Sequence, residues 1–154
     1  MKGMIKDALI LFAITLIAGL MLGVVNDITK EPIAQQEQKA KNEACQNVFA
    51  AADSFEAQEL ADSAQIEQAL TDAGISGADI DELMEAKDAS GALLGYVITV
   101  TDHEGYGGDI QFSMGITNEG TLNGISLLSI SETAGLGMRA GEVLVPQFAD
   151  KNVS

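Results

Sequence analysis

An 18-residue apolar segment near the N-terminus constrains the fold of this chain more than any other feature. Residues 8–25 contain one polar side chain, that of Thr15. As a helix the segment would be about 27 Å long, close to the hydrocarbon thickness of a bilayer, and a threonine hydroxyl can bond to its own helix. We therefore predict a membrane anchor. The alternative is a cleaved signal peptide, but its apolar region is usually shorter and ends at a small-residue cleavage site, whereas Asn26 and Asp27 follow here.

The charges that flank this segment predict its orientation. Lys2 and Lys6 precede it, and the positive-inside rule places such lysines in the cytoplasm. We therefore expect a single-pass protein of the plasma or inner membrane, with the rest of the chain on the extracytoplasmic side. Gly19 and Gly23 form a small-xxx-small pair that would let another membrane helix approach closely.

The charge of the chain is strongly acidic and unevenly placed. The formal net charge is −15, and residues 1–30 carry three lysines against two aspartates, which leaves −16 on residues 31–154. Nucleic acids require a basic surface, so they are excluded as partners.

Cysteine and histidine are each present once, as Cys45 and His103. A disulfide framework and a cysteine-based metal site are therefore excluded, and we predict no metal site. We expect Cys45 to be a small packed side chain, with a thiol that links two chains as the alternative, and His103 to be a solvent-exposed loop residue. The sequence contains no Ser-His-Asp set or phosphate loop, so no catalytic residue is predicted.

Helix-forming residues predominate after the apolar segment. Residues 29–52 are rich in Ala, Gln, Glu and Lys, with Thr29 as a possible cap and Pro32 in the first turn. A modest apolar stripe predicts a stalk helix that packs on its own domain, or alternatively binds a partner; the stripe consists of Ile33, Ala40, Ala44, Val48 and Ala51. Residues 63–73 predict a second, short helix.

Strand-like periodicity replaces the helical pattern from about residue 80. We predict strands at 80–87, 94–101, 109–117 and 121–130, with turns at 88–91 and 118–120 and a loop at 102–108. These four strands form an antiparallel meander, and the fold class is α+β. The predicted organisation is a cytoplasmic N-terminus and anchor (residues 1–28), a helical stalk and linker (29–77) and a domain (78–154).

Two glycine-rich segments flank the last predicted hairpin. Gly105-Tyr106-Gly107-Gly108 precedes it, and Glu132-Thr133-Ala134-Gly135-Leu136-Gly137 follows it. An antiparallel hairpin brings the two segments toward the same end of the sheet, with Tyr106 near Leu136. Exposed amides with one aromatic and one aliphatic side chain suit a flat, partly apolar ring. The alternatives are ordinary turns, with Tyr106 and Leu136 packed inward.

These segments, the hairpin 110–130 with Asn118-Glu119-Gly120 at its tip, and the N-terminal span together resemble a known family. The sequence resembles the G subunit of the Rnf electron-transport complex and, more distantly, the C subunit of the sodium-translocating NADH:quinone reductase, both with FMN-binding domains. The resemblance covers most of the chain and is strongest over residues 80–141. The family commonly has Glu-Thr-Pro-Gly-Leu-Gly where this chain has Ala134 in place of the proline.

The resemblance implies a membrane-anchored flavoprotein. It would relay electrons between ferredoxin and NAD inside a complex of several membrane subunits that couples electron flow to ion translocation, rather than act as a stand-alone enzyme. The implied FMN-binding residues are Gly105, Tyr106, Glu132, Thr133, Gly135, Leu136 and Gly137. Glu132 could serve as an acid or could orient a loop backbone.

The family attaches its FMN through the phosphate to a threonine in a Ser-Gly-Ala-Thr motif, and this motif is missing here. Ser76-Gly77-Ala78 is followed by Asp79, and Ser90-Gly91-Ala92 by Leu93, so neither supplies the hydroxyl. We expect the attachment threonine beyond residue 154, in a longer protein. Only Arg139 and Lys151 could attract the phosphate against the acidic field, so the chain as written is expected to bind FMN weakly or not at all. The alternative function is a non-redox extracytoplasmic module that binds a partner or assists assembly.

Overall fold

The computed structural model describes residues 2–153, with side chains described from Gly3 onwards. The predicted α+β class is confirmed. In chain order, the elements are α1 (Lys2–Val48), β1 (Ser54–Gln58), α2 (Ser63–Asp72), β2 (Ala78–Lys87), β3 (Leu93–Asp102), β4 (Ile110–Thr117), β5 (Thr121–Ile130), a 3₁₀ turn (Gly137–Arg139), α3 (Ala140–Val143), a second 3₁₀ turn (Val145–Phe148) and β6 (Lys151–Asn152).

The six strands form one antiparallel sheet in the order β1-β2-β3-β4-β5-β6. The central four strands are those predicted, and the two edge strands were missed. Phe55 is the only strong strand former in β1, and the segment is extended because it pairs with residues 83–87 of β2. β6 consists of two residues, Lys151 and Asn152, paired with β5, which is too short for a sequence pattern.

The chain divides into two compact units, residues 1–39 and residues 40–154. The first unit is helical, and every described side chain in it is exposed. Its helix has the length and the apolar composition needed to cross a membrane. The Thr15 hydroxyl donates to the carbonyl oxygens of Leu11 and Phe12 at 3.1 and 3.0 Å, as expected of a threonine inside such a helix.

The predicted start of a separate stalk helix at Thr29 is wrong. α1 continues through this position, with Pro32 in its interior. The Thr29 hydroxyl donates back to the carbonyl oxygen of Val25 at 2.9 Å, which is the behaviour of a mid-helix threonine and not of an N-cap. The predicted end of the helix also moves, from residue 52 to Val48.

The core of the second unit lies between the last turns of α1 and one face of the sheet. Ala44, Cys45, Val48 and Phe49 are each at most 4% exposed. The last three of these pack in one cluster, together with Ala52, Met84, Ala86 and Val97. The prediction that this helix packs on its own domain is therefore confirmed for its C-terminal part, whereas Ile33 is 53% exposed.

Two glycines allow this close packing. A Cβ atom at Gly95 would lie 2.7 Å from Cζ of Phe49, and one at Gly115 would lie 2.8 Å from the carbonyl oxygen of Val48. Side chains at these positions would hold the helix away from the sheet, so the two glycines form the surface on which residues 48 and 49 rest.

Buried polar and sulfur atoms in this core have partners. The hydroxyls of Thr99 and Ser113 are 2.9 Å apart on neighbouring strands. The Cys45 Sγ atom lies 3.8 Å from Sδ of Met84, and burial raises the pKa of the thiol. The prediction that Cys45 is a packed small side chain is confirmed.

The short helix α2 matches its predicted position. Asp62 caps it by accepting a hydrogen bond from the Ala64 amide at 3.3 Å. A cavity of about 510 Å³ lies between this helix and the sheet face opposite the core, lined among others by Leu70, Ile98 and Phe112.

Candidate functional site

The two glycine-rich segments meet at one end of the sheet. We call residues 103–109 the Tyr106 loop and residues 131–137 the Leu136 loop. The Tyr106 loop follows β3 and leads into β4, and the Leu136 loop follows β5. Because Ile110 is paired with both Asp102 and Ile130, the two loops begin side by side. The predicted convergence of these loops is confirmed.

Glu132 joins the two loops. Its Oε1 atom accepts a hydrogen bond from the Gly107 amide at 3.2 Å. A loop-orienting role for this carboxylate, one of the two roles considered from the sequence, is thus supported by a contact.

Three glycines make room for the Glu132 side chain. A Cβ atom at Gly105 would lie 3.1 Å from Oε1 of Glu132, and one at Gly137 would lie 2.7 Å from its Cγ. A Cβ atom at Gly107 would lie 3.1 Å from the Glu132 Cα atom and nearer still to the carbonyl oxygen of Ser131. Gly105, Gly107 and Gly137 therefore leave room for the loops to approach each other around this carboxylate.

The two large apolar side chains of the loops face solvent. Tyr106 is 95% exposed and Leu136 is 74% exposed. The alternative that Tyr106 and Leu136 pack inward is therefore wrong. Gly135, which precedes Leu136, has φ of +81°, in the left-handed region that glycine adopts readily.

Thr133 is exposed, and it holds the Leu136 loop through its backbone. Its carbonyl oxygen accepts hydrogen bonds from the amides of Leu136 and Met138, at 3.1 and 3.4 Å. The seven residues proposed from the sequence thus belong to two adjoining loops, which the hydrogen bond between the Gly107 amide and Glu132 joins.

His103 is the residue of this region that sequence reasoning underestimated. It lies in a loop and is 44% exposed, as expected, but both ring nitrogens have carboxylate partners. Nδ1 lies 3.0 Å from Asp109 and Nε2 lies 3.1 Å from Asp79. Hydrogen bonds that the ring donates to Asp109 and, with a smaller effect, to Asp79 raise the pKa of His103 to about 9. Asp109 is near in sequence and could have been suspected, whereas Asp79 is brought close only by the pairing of β2 with β3.

The exposed side chains of the two loops suit the isoalloxazine ring of FMN better than they suit its phosphate group. Tyr106 and Leu136 offer exposed apolar surface on the two loops. Of the two cations expected to help, Arg139 has its Nε atom 3.4 Å from a carboxylate oxygen of Glu142. Within residues 2–153, no group of three or more His, Cys, Asp or Glu side chains has an arrangement suited to a metal ion.

Comparisons with known proteins match two segments of this chain to families and nearly the whole chain to one relative. Residues 1–48 match the family described as the RnfG N-terminal region, and residues 105–154 match the FMN-binding domain. The chain is 31% identical over 153 residues to the G subunit of the Na(+)-translocating ferredoxin:NAD(+) oxidoreductase complex of Acetobacterium woodii. The alignment covers 98% of this chain and 72% of that protein.

Proposed function

The chain belongs to the G-subunit family of ion-translocating ferredoxin:NAD oxidoreductase complexes, and from this premise we propose that it is a membrane-anchored flavoprotein subunit that relays electrons. The observation that carries the proposal is the pair of adjoining loops inside the matched FMN-binding domain, with Tyr106 and Leu136 exposed on them. Its partners are the other membrane subunits of such a complex.

FMN supplies the redox chemistry when it is bound, and the protein binds and tunes it. We assign Tyr106 and Leu136 to the two faces of the bound ring, which they would cover, and the backbone of Gly105, Thr133 and Gly135 to its polar edge. Glu132 holds the two loops together. Its negative charge disfavours additional negative charge on a nearby ring, so it lowers the reduction potential of the flavin.

We propose from the family resemblance that the FMN is attached covalently, and the charge of the domain supports this. Residues 31–154 carry −16, so the field opposes a doubly negative phosphate. Arg139, the nearest candidate cation in sequence, is engaged by Glu142. A phosphoester to a threonine beyond residue 154 holds the phosphate without needing a cationic site.

The membrane placement completes the proposal. Residues 8–25 of α1 cross the bilayer once, and Lys2 and Lys6 keep the N-terminus in the cytoplasm. The acidic domain is then extracytoplasmic.

A second candidate function is an assembly module without flavin. It is favoured by the Arg139–Glu142 contact, which engages a cation that could otherwise attract the phosphate of FMN. Such a module would use the same anchor and sheet to hold a neighbouring subunit.

Flavin content separates the two functions. The 154-residue chain and a form extended along its gene are expressed in cells that can attach FMN, and each is run on a denaturing gel under ultraviolet light. We expect a fluorescent band from the extended form only. Fluorescence from the 154-residue chain would refute attachment beyond residue 154, and no fluorescence from either, with no flavin in the native complex, would favour the assembly module.

A further inference from the structure

The arrangement around His103 requires a protonated ring. A neutral imidazole has one N–H group, yet Nδ1 and Nε2 each lie within hydrogen-bond distance of a carboxylate. Only the imidazolium can donate to Asp109 and Asp79 at the same time. The geometry therefore specifies a cation between two anions.

This cation ties the ends of the Tyr106 loop to β2. His103 is the first residue of the loop and Asp109 is its last, so their contact closes the loop on itself. Asp79 lies near the start of β2 and adds a second point of attachment. The backbone of His103 contributes as well, because its amide donates to the carbonyl oxygen of Gly77 at 2.7 Å.

The opposite side of the same loop contacts Glu132. The Gly107 amide, four residues from His103, donates to the Glu132 carboxylate. A loop whose two ends are fixed has few ways to move its middle, so the His103 contacts limit where Tyr106 and Gly107 can lie.

We propose that His103 is a positioning residue for the surface of the two loops that faces the flavin. By bridging Asp79 and Asp109, His103 keeps Gly107 in contact with Glu132 and fixes the position of Tyr106. The inference rests on the proposed function for the identity of the ligand. His103 itself does not touch the ring; it acts through the loop that it closes.

The charges around His103 set the pH range of this effect. Asp79 contacts it from β2 and Asp109 from the end of the Tyr106 loop. The neighbouring segments also carry Asp102, at the end of β3, and Glu104 and Glu132, in the two loops. Asp109 and, second, Asp79 are the groups that favour the imidazolium. Because the pKa in the fold is about 9 and therefore above its ordinary value of 6.5, the contribution of the bridge to folding stability is fully present below pH 6.5, and the bridge itself is lost as the pH rises through 9.

The test compares His103→Gln with Lys87→Gln in the whole 154-residue chain, purified in detergent. Lys87 is a matched control because its Nζ also bridges two carboxylates, those of Glu56 and Glu85, at the other end of β2. The first readout is the NMR shift of the Gly107 amide between pH 6 and pH 10. We expect a titration with a midpoint of about 9 in the wild type and in Lys87→Gln, and none in His103→Gln.

The second readout is the dissociation constant for riboflavin at pH 7, followed by the same amide. Riboflavin carries the ring without the phosphate that the acidic domain repels. We expect binding to weaken at least threefold in His103→Gln and to stay within error in Lys87→Gln. Melting curves by circular dichroism check that both variants fold.

Each outcome decides a separate point. A Gly107 titration that persists in His103→Gln would overturn the proposal. So would a lost titration with unchanged riboflavin binding, because the bridge would then not position the ligand surface. If riboflavin leaves the wild-type resonances unmoved, the proposed function fails instead, and the Gly107 titration alone decides whether His103 holds the loop.

Discussion

At the scale of single residues, the site depends on what is missing from Gly105, Gly107 and Gly137. Each lacks the Cβ atom that would collide with Glu132 or with the chain beside it. The Glu132 carboxylate, which joins the two loops, needs this space. A side chain in any of the three positions would displace the loops and would leave the core of the sheet unchanged. The glycines therefore matter here for close approach, while Gly135 alone of the Leu136 loop has a positive φ.

We expect Gly107→Ala to destabilise the domain by about 1–3 kcal/mol, since the new Cβ would press on Ser131 and Glu132. Gly141→Ala is the matched control, because its Cβ would lie at an ordinary 3.8 Å from Cδ1 of Leu127 and within a helix. The measurement is urea unfolding of the detergent-solubilised chain by circular dichroism. Equal stability of the two variants would contradict the close contact of the loops.

The contact between the loops could be predicted from the sequence, but the role of His103 could not. Two loops at the same end of an antiparallel hairpin must be neighbours, so Gly107 and Glu132 follow from strand order. The partner of His103 on β2 depends on register, and β2 has an irregularity between Ile80 and Glu82. No sequence pattern predicts such a register shift, and the register decides whether Asp79 or its neighbour faces the imidazole ring of His103.

At the scale of secondary-structure elements, α1 belongs to both units of the chain. Composition predicted its apolar and its polar parts correctly but divided them at Thr29, because threonine and proline are common at helix starts. The helix is continuous there, and the Thr29 hydroxyl bonds back to Val25 within it, so these local signals do not mark a helix start. Likewise, β1 lacks a strand pattern and exists through its pairing with β2.

Phe49 is the aromatic side chain on which the packing of the helix end depends. We expect Phe49→Ala to destabilise the second unit by about 3–5 kcal/mol, since it leaves a cavity over Gly95 and Gly115.

Tyr106→Ala is the comparison, because Tyr106 is 95% exposed and its removal should change stability by less than about 0.5 kcal/mol. Both are measured by thermal unfolding in the same detergent. A large loss of stability in Tyr106→Ala would show that this ring is part of the fold and not a free surface for a ligand.

At the scale of the whole molecule, the distribution of charge and of apolar surface divides the chain. The anchor segment is apolar with lysines before it, and the rest is acidic. Such a domain stays soluble beside an anionic membrane surface because the two repel each other.

Sidedness can be tested with one new cysteine. Cys45 is only 2% exposed, so a membrane-impermeant maleimide should label the wild type poorly. We expect Glu119→Cys, at the exposed tip between β4 and β5, to be labelled in intact cells with a permeabilised outer membrane. Gly3→Cys should be labelled only after the inner membrane is broken. The reverse pattern would place the acidic domain in the cytoplasm.

The continuity of α1 also bears on how the sheet can be obtained apart from the membrane. The boundary between the two compact units falls between Lys39 and Ala40, inside a helix. A fragment that began at β1 would omit Ala44, Cys45, Val48 and Phe49, whose buried side chains cover one face of the sheet. A soluble fragment must therefore begin no later than about Ala40, so that the last helical turns stay with the strands they cover.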